Sequence, residues 1–193
     1  MNNRFAMASV AAMALAACAA EDDATETPTT EETTPMPEPA PADAPDPATP
    51  QGFVTTAASS DMYEIEAGRL AQEMGSSQAV KDFGAMMVKD HTTSSDKLRS
   101  AVASGGAGLA TPPAMLPKHQ QQLDALRSAG ADFDRVYTEQ QVAAHREALA
   151  LLQGEAATGT VASLKAFAST VMPVVQGHLD HVRGLAGDAG GGE

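Results

Sequence analysis

The sequence predicts an all-α protein, an antiparallel four-helix bundle with a short extra helix in the crossover between helices two and three. From Phe53 onward, apolar and small residues recur every three or four positions in four separate segments, with no alternating β-branched run. Of the 193 residues, 43% are hydrophobic, but aromatics make up only 4% and tryptophan is absent, so much of the apolar content is alanine suited to close helix packing. Gly75-Ser76-Ser77 and Thr158-Gly159-Thr160 mark tight reversals that fold the segments into two hairpins. The length accommodates one domain with extensions.

The first segment, Phe53 to Met74, gathers Ala57, Gly68 and Ala71 on a small-residue face that admits a close neighbour, with Glu64 along it. The second, Gln78 to Ser104, carries Val80, Gly84, Met87, Ser94, Leu98 and Ala101 in one stripe completed by His91. Gly105-Gly106-Ala107-Gly108 lacks the lysine and strand-helix context of a phosphate loop and reads as a flexible connection. Thr111-Pro112-Pro113, a short helix from Pro117 to Arg127 and a turn at Ala129-Gly130 complete the crossover. In the third segment, Asp132 to Ala157, Phe133, Tyr137, Ala144, Ala148, Leu151 and Leu152 share one side, Gln141 and His145 lie at its edge, and Asp132 can cap the start. The fourth, Thr160 to about Ala186, places Leu164, Ala168, Val171, Val175, His178, Val182 and Leu185 on its seam, with Pro173 bending it. The bundle is thus expected over residues 52–187, followed by a frayed tail at 188–193.

Residues 1–17 read as a signal peptide: a polar start ending at Arg4 precedes an apolar run too short to cross a bilayer permanently, and Glu21-Asp22-Asp23 follows. Leu15-Ala16-Ala17-Cys18 resembles the lipobox of bacterial lipoproteins, whose cysteine is lipidated and becomes the new N-terminus. The competing reading is a secretory signal cleaved near Ala20. Cys18 is the only cysteine, so no disulfide forms within the chain. Ala19 after it resembles the sorting pattern for the outer membrane. Residues 18–51 are predicted to be a lipidated cysteine and a disordered acidic tether rich in proline and threonine, with nine acidic and no basic side chains from 21 to 51. From Gly52 onward 16 acidic residues face 11 basic ones, so most of the net charge of −13 belongs to the tether. Such a balance disfavours nucleic acid, whose phosphates require clustered Lys and Arg. The expected membrane partner is reached through the anchor alone, periplasm-facing at the outer membrane.

Glu64-Ile65-Glu66-Ala67-Gly68-Arg69-Leu70-Ala71, Met87-Val88-Lys89-Asp90-His91, Phe133-Asp134-Arg135-Val136-Tyr137, Gln141-Val142-Ala143-Ala144-His145 and His178 together resemble DUF4142, a bacterial family of unknown function described as outer-membrane or periplasmic proteins. The resemblance covers about Phe53 to Leu185 and implies a ferritin-like helical fold and an envelope compartment. It lends no reaction. Val171-Met172-Pro173 departs from the Leu-Pro of similar sequences, keeping the bend but leaving its register open.

Glu64, His91, His145 and His178 each sit on or near the inward face of a different helix, a set suited to zinc, copper or iron. Ferritin-like di-iron sites, however, use Glu-x-x-His pairs, and Val88 and Val175 occupy the positions three before His91 and His178. Counted from Ser76, Glu64 is 12 residues away and His91 15, within about 5 Å of one level. Counted from Gly159, His145 is 14 away and His178 19, an offset of about 7 to 8 Å. We therefore favour a buried polar cluster, Glu64 pairing with His91 and His145 with a tyrosine or Gln141, with no cofactor expected. A transition-metal site is the alternative. His119 and His181 fall off the seams and should be solvated; Met86, Met87 and Met115 read as gap-filling core, and Asp90 and Asp96 as exposed helix charges. Serines and threonines cluster in caps and turns, without a nucleophile, base and orienting partner, so no enzyme is expected. The predicted role is a lipid-anchored, non-enzymatic envelope bundle that is structural, partner-binding or stress-related; the alternative is an envelope metal-binding or redox bundle. The sequence leaves the protein partner and homo-oligomerisation open.

Overall fold

The structure, a computed structural model, describes residues 45–105 and 108–189. The signal peptide, Cys18, the tether before residue 45 and the end of the tail lie outside the described residues. Those described form an all-α bundle of five helices: α1 (Pro50–Met74), α2 (Gln78–Ser104), α3 (Pro117–Ser128), α4 (Phe133–Thr158) and α5 (Ala162–Ala189). Among the described residues no helix is long and apolar enough to cross a membrane.

The predicted seams become helices with small differences at their ends. Helix α1 starts at Pro50 rather than Phe53, because the Thr49 hydroxyl accepts from the Gly52 amide at 3.1 Å and Pro50 fits the first helical turn. The tether therefore gives way to helix before residue 51. Helix α2 has its predicted bounds and is capped by Ser77, whose hydroxyl accepts from the Val80 amide at 3.2 Å. Asp132 does not cap α4 as expected. It ends a 3₁₀ turn, Gly130–Asp132, with near-helical backbone instead of the extended cap geometry, and its carboxylate lies 3.7 Å from Arg135. Gly130, with φ of 55°, supplies the left-handed residue that this tight join requires. Pro173 lies inside α5 on its exposed side, where water can reach the carbonyl deprived of an amide partner.

Helices α1 and α2 form one hairpin and α4 and α5 the other; α2 packs on α5 and α1 on α4, closing the bundle. The first hairpin is close-packed through its glycines: a Cβ added at Gly84 would lie 2.6 Å from the Gly68 carbonyl oxygen and 2.7 Å from the Ala71 Cβ. Asp134 of α4 accepts from the Ser76 amide, the Ser76 hydroxyl and the Ser77 amide at 2.7–2.9 Å, locking the second hairpin to the turn of the first. The core runs through Phe53, Tyr63, Phe83, Met87, Tyr137 and Leu164, all fully buried. Helix α3 lies across α1 and α4.

Candidate metal centre

Three of the four candidate residues meet at the centre of the bundle. His91 of α2, His145 of α4 and His178 of α5 are buried, at 5%, 1% and 4% exposure, with ring centroids 5.4–5.8 Å apart. One ring nitrogen from each lies within 4.8 Å of those from the other two. The offset counted from Gly159 between His145 and His178 shrinks because Gly159 is not the pivot of the turn. Measured from the helix ends, His145 is 13 residues from Thr158 and His178 16 from Ala162, a difference worth about 4.5 Å. Side chains also lean toward their own helix N-terminus, which carries His145 away from the turn and His178 toward it.

Each ring is fixed through one of its nitrogens. His91 Nδ1 is 2.7 Å from Asp61 Oδ1, His145 Nδ1 donates to the Gln141 carbonyl at 2.9 Å, and His178 Nε2 is 3.0 Å from Asp90 Oδ2. Carboxylates and carbonyls only accept, so these nitrogens hold the protons of the neutral rings. Lone pairs remain on His91 Nε2, His145 Nε2 and His178 Nδ1, and these same atoms are buried without a hydrogen-bond partner. An acceptor behind each imidazole is the outer shell that orients histidine ligands toward a metal.

The predicted Glu64–His91 pair does not form. Asp61, 13 residues from the end of α1, stands at the level of His91, 13 residues from the start of α2, and takes its Nδ1. Glu64 instead accepts from Gln141 Nε2 at 2.6 Å, with its other oxygen 3.8 Å from His145 Nδ1, beside the trio but outside it. Gln141 is thus the joint of the cluster, its carbonyl holding His145 and its amide holding Glu64. Burial raises the Glu64 pKa to about 7 against the opposing effects of His91 and Gln141.

Burial pushes the His145 pKa down to about 3, helped by the charge on His91, and lowers that of His178 despite Asp90. Both rings are neutral at neutral pH. For His91, burial favours the neutral ring, but Asp61, Glu64 and Asp90 outweigh it and raise the pKa. A proton on its inward nitrogen would nevertheless be a buried donor with no acceptor in hydrogen-bond range. A cation shared by three lone pairs would resolve that conflict. A divalent ion would find its charge matched by Asp61 and Asp90. Ligands about 2.1 Å from a tetrahedral ion stand about 3.4 Å apart, so side-chain adjustment on the order of 1 Å closes the set.

Two further expectations are corrected. Asp90 is no ordinary exposed charge but the partner of His178, and its exposure is only 27%. His119 is buried, its Nδ1 2.6 Å from the Ser59 hydroxyl and its ring stacked on Tyr63. The Ser59 oxygen also accepts from the Leu116 amide at 2.8 Å, so the pair pins α3 to α1. Burial, with the Lys118 charge, drives the His119 pKa down to about 4, which keeps the ring neutral. Sequence reasoning missed Ser59 and Asp61, although Asp61 and His91 are equally far from Ser76. His181 is exposed and Met87 is core, as expected.

A family model described as a domain of unknown function, DUF4142, matches residues 35–185, most of the chain. No curated protein and no solved structure is matched. The chain belongs to the DUF4142 family.

Proposed function

We propose that this DUF4142 chain is a metal-binding helical bundle of the bacterial cell envelope, holding one first-row transition-metal ion on His91, His145 and His178. The observation that carries the reading is the set of inward ring nitrogens without partners, each opposite a nitrogen already held by Asp61, Asp90 or the Gln141 carbonyl. Imidazole donors suit zinc, copper, iron and nickel, and three protein ligands leave a position open to a further small ligand. Envelope placement is supported by the signal-like leader, the lipobox-like Leu15-Ala16-Ala17-Cys18 and the acidic tether, which would hold the bundle off the membrane. Family and helical fold give no sign of catalysis, and the proposed role is non-enzymatic.

The test is elemental analysis of the purified chain, followed by chelator stripping and titration with zinc, copper or ferrous ion. One equivalent should bind and raise the melting temperature, a ligand at 100 times its Kd adding about 2.7 kcal/mol to stability. His145→Ala should lose that increment. Failure of all three ions to bind the wild type saturably would return the cluster to a purely structural role.

A further inference from the structure

We propose that Asp90 is the entry port for the metal, a surface carboxylate that captures a hydrated divalent cation and passes it inward past the ring of His178. The route rests on the metal-binding reading and adds to it the way in. Of the three acceptors behind the imidazoles, Asp90 is the one that reaches solvent. Its side chain is 27% exposed, whereas that of Asp61 is 7% exposed and Gln141 is fully buried. Asp90 Oδ2 lies 3.0 Å from His178 Nε2, and among the described residues Oδ1 makes no hydrogen bond. One carboxylate oxygen is therefore left for an arriving ion, and such oxygens serve beside imidazole as zinc ligands.

The step inward is short. His178 turns Nε2 toward Asp90 and keeps Nδ1 for the trio, so a single imidazole separates the outer carboxylate from the proposed ion. Little covers that ring from outside. Gly177, just before it on α5, has no side chain, and a Cβ built there would meet no neighbouring group within 4 Å. His181, one turn beyond, is exposed. A change of His178 rotamer opens the path, and its return presents Nδ1 to the ion. A rival way in lies on the far side of the trio, where a cleft open to solvent is lined by Asp61, His91, Ser60 and Ser94 among others. There, however, both Asp61 oxygens are engaged, one with His91 at 2.7 Å and the other with the Ser95 hydroxyl at 3.4 Å.

Binding kinetics separate capture from holding. The metal-free full chain is mixed in stopped flow with whichever of zinc, copper or ferrous ion loads to one equivalent, free ion being read by a chromophoric chelator. Asp90→Asn keeps an oxygen for His178 Nε2 but loses the charge. Its association rate constant should fall by about tenfold at low salt, with dissociation changed by less than about threefold. Added salt should slow the wild type toward the variant, because it screens an exposed carboxylate. Asp90→Glu should restore fast association, and Asp90→Ser gives the same test if Asp90→Asn does not fold. Asp61→Asn should act in the opposite sense, raising dissociation with association nearly unchanged, since that carboxylate orients His91 without meeting the incoming ion. An unchanged association rate in Asp90→Asn would overturn the port even if binding weakens, because Asp90 would then only position His178. Association slowed as much by Asp61→Asn as by Asp90→Asn would overturn it as well, moving the entrance to the cleft. If none of the three ions binds the wild type, the port and the metal-binding reading fail together, whereas normal stoichiometry with unaltered association removes the port alone.

Discussion

Replacing Glu64 with glutamine should make the metal-free protein more stable, increasingly so as the pH rises. Glu64 is 1% exposed, and burial lifts its pKa from 4.5 to about 7. The native state then binds more protons than the unfolded chain between those values, so this carboxyl is neutral at no cost below pH 4.5 and destabilises progressively as pH rises through 7. At 1.36 kcal/mol per pH unit, the displacement corresponds to roughly 3 kcal/mol at pH 8. Glutamine has nearly the same shape, carries no charge and can still pair with the Gln141 amide that Glu64 now engages at 2.6 Å. The measurement is thermal unfolding of both chains by circular dichroism from pH 5 to 8, with chelator present. Their melting temperatures should lie close together at pH 5 and separate by roughly 6 to 12 °C at pH 8, taking 2–4 °C per kcal/mol for a chain of this size. The depressed values of His145 and His119 make stability rise with pH up to about 6.5, but in both chains alike, so they leave the difference untouched. Parallel curves would refute the reasoning, because they would mean that Glu64 ionises in the fold as easily as in water.

Asp61→Asn should weaken metal binding by about 10- to 100-fold, since the acceptor that fixes the His91 ring loses its charge; titration calorimetry against wild type reads the change. Gly84→Ala should cost about 1–3 kcal/mol in denaturant unfolding, because its methyl would fall on the Gly68 carbonyl and Ala71, whereas Gly154→Ala, with open space around it, should not destabilise. Cys18→Ser should release the chain from membranes and abolish lipid labelling, since the two acyl chains of a diacylglycerol contribute about 0.8 kcal/mol per buried CH₂.

The helices were legible in the sequence because burial repeats with the helical period. The stripe from Val80 to Ala101, with His91 in it, is the buried face of α2, and all four inward candidates are buried. Pairing was harder to read, since it depends on level and side-chain lean as well as on face. Counting from Gly159 rather than from the helix ends adds two residues, about 3 Å, to the offset between His145 and His178, whereas Asp61 matches the level of His91 on either count, being as far from Ser76 as His91 is. His119 was invisible for another reason: α3 has few apolar residues, and what buries the ring is Ser59 and Tyr63 of a different helix. Phe83 lies off the predicted stripe yet is fully buried, because its edge packs on Tyr137 and near His178.

The donors are divided unequally between the hairpins, one imidazole in α1–α2 and two in α4–α5, with His178 on the last helix. A chain made from its N-terminus reaches His91 early but completes the trio only when α5 has emerged and the hairpins have docked. Until then the first hairpin offers a passing ion a single imidazole, too little for lasting capture. Loading of the proposed ion would thereby be postponed to the end of folding, and the bound ion would join the two halves of the bundle, so that undocking them would also release it.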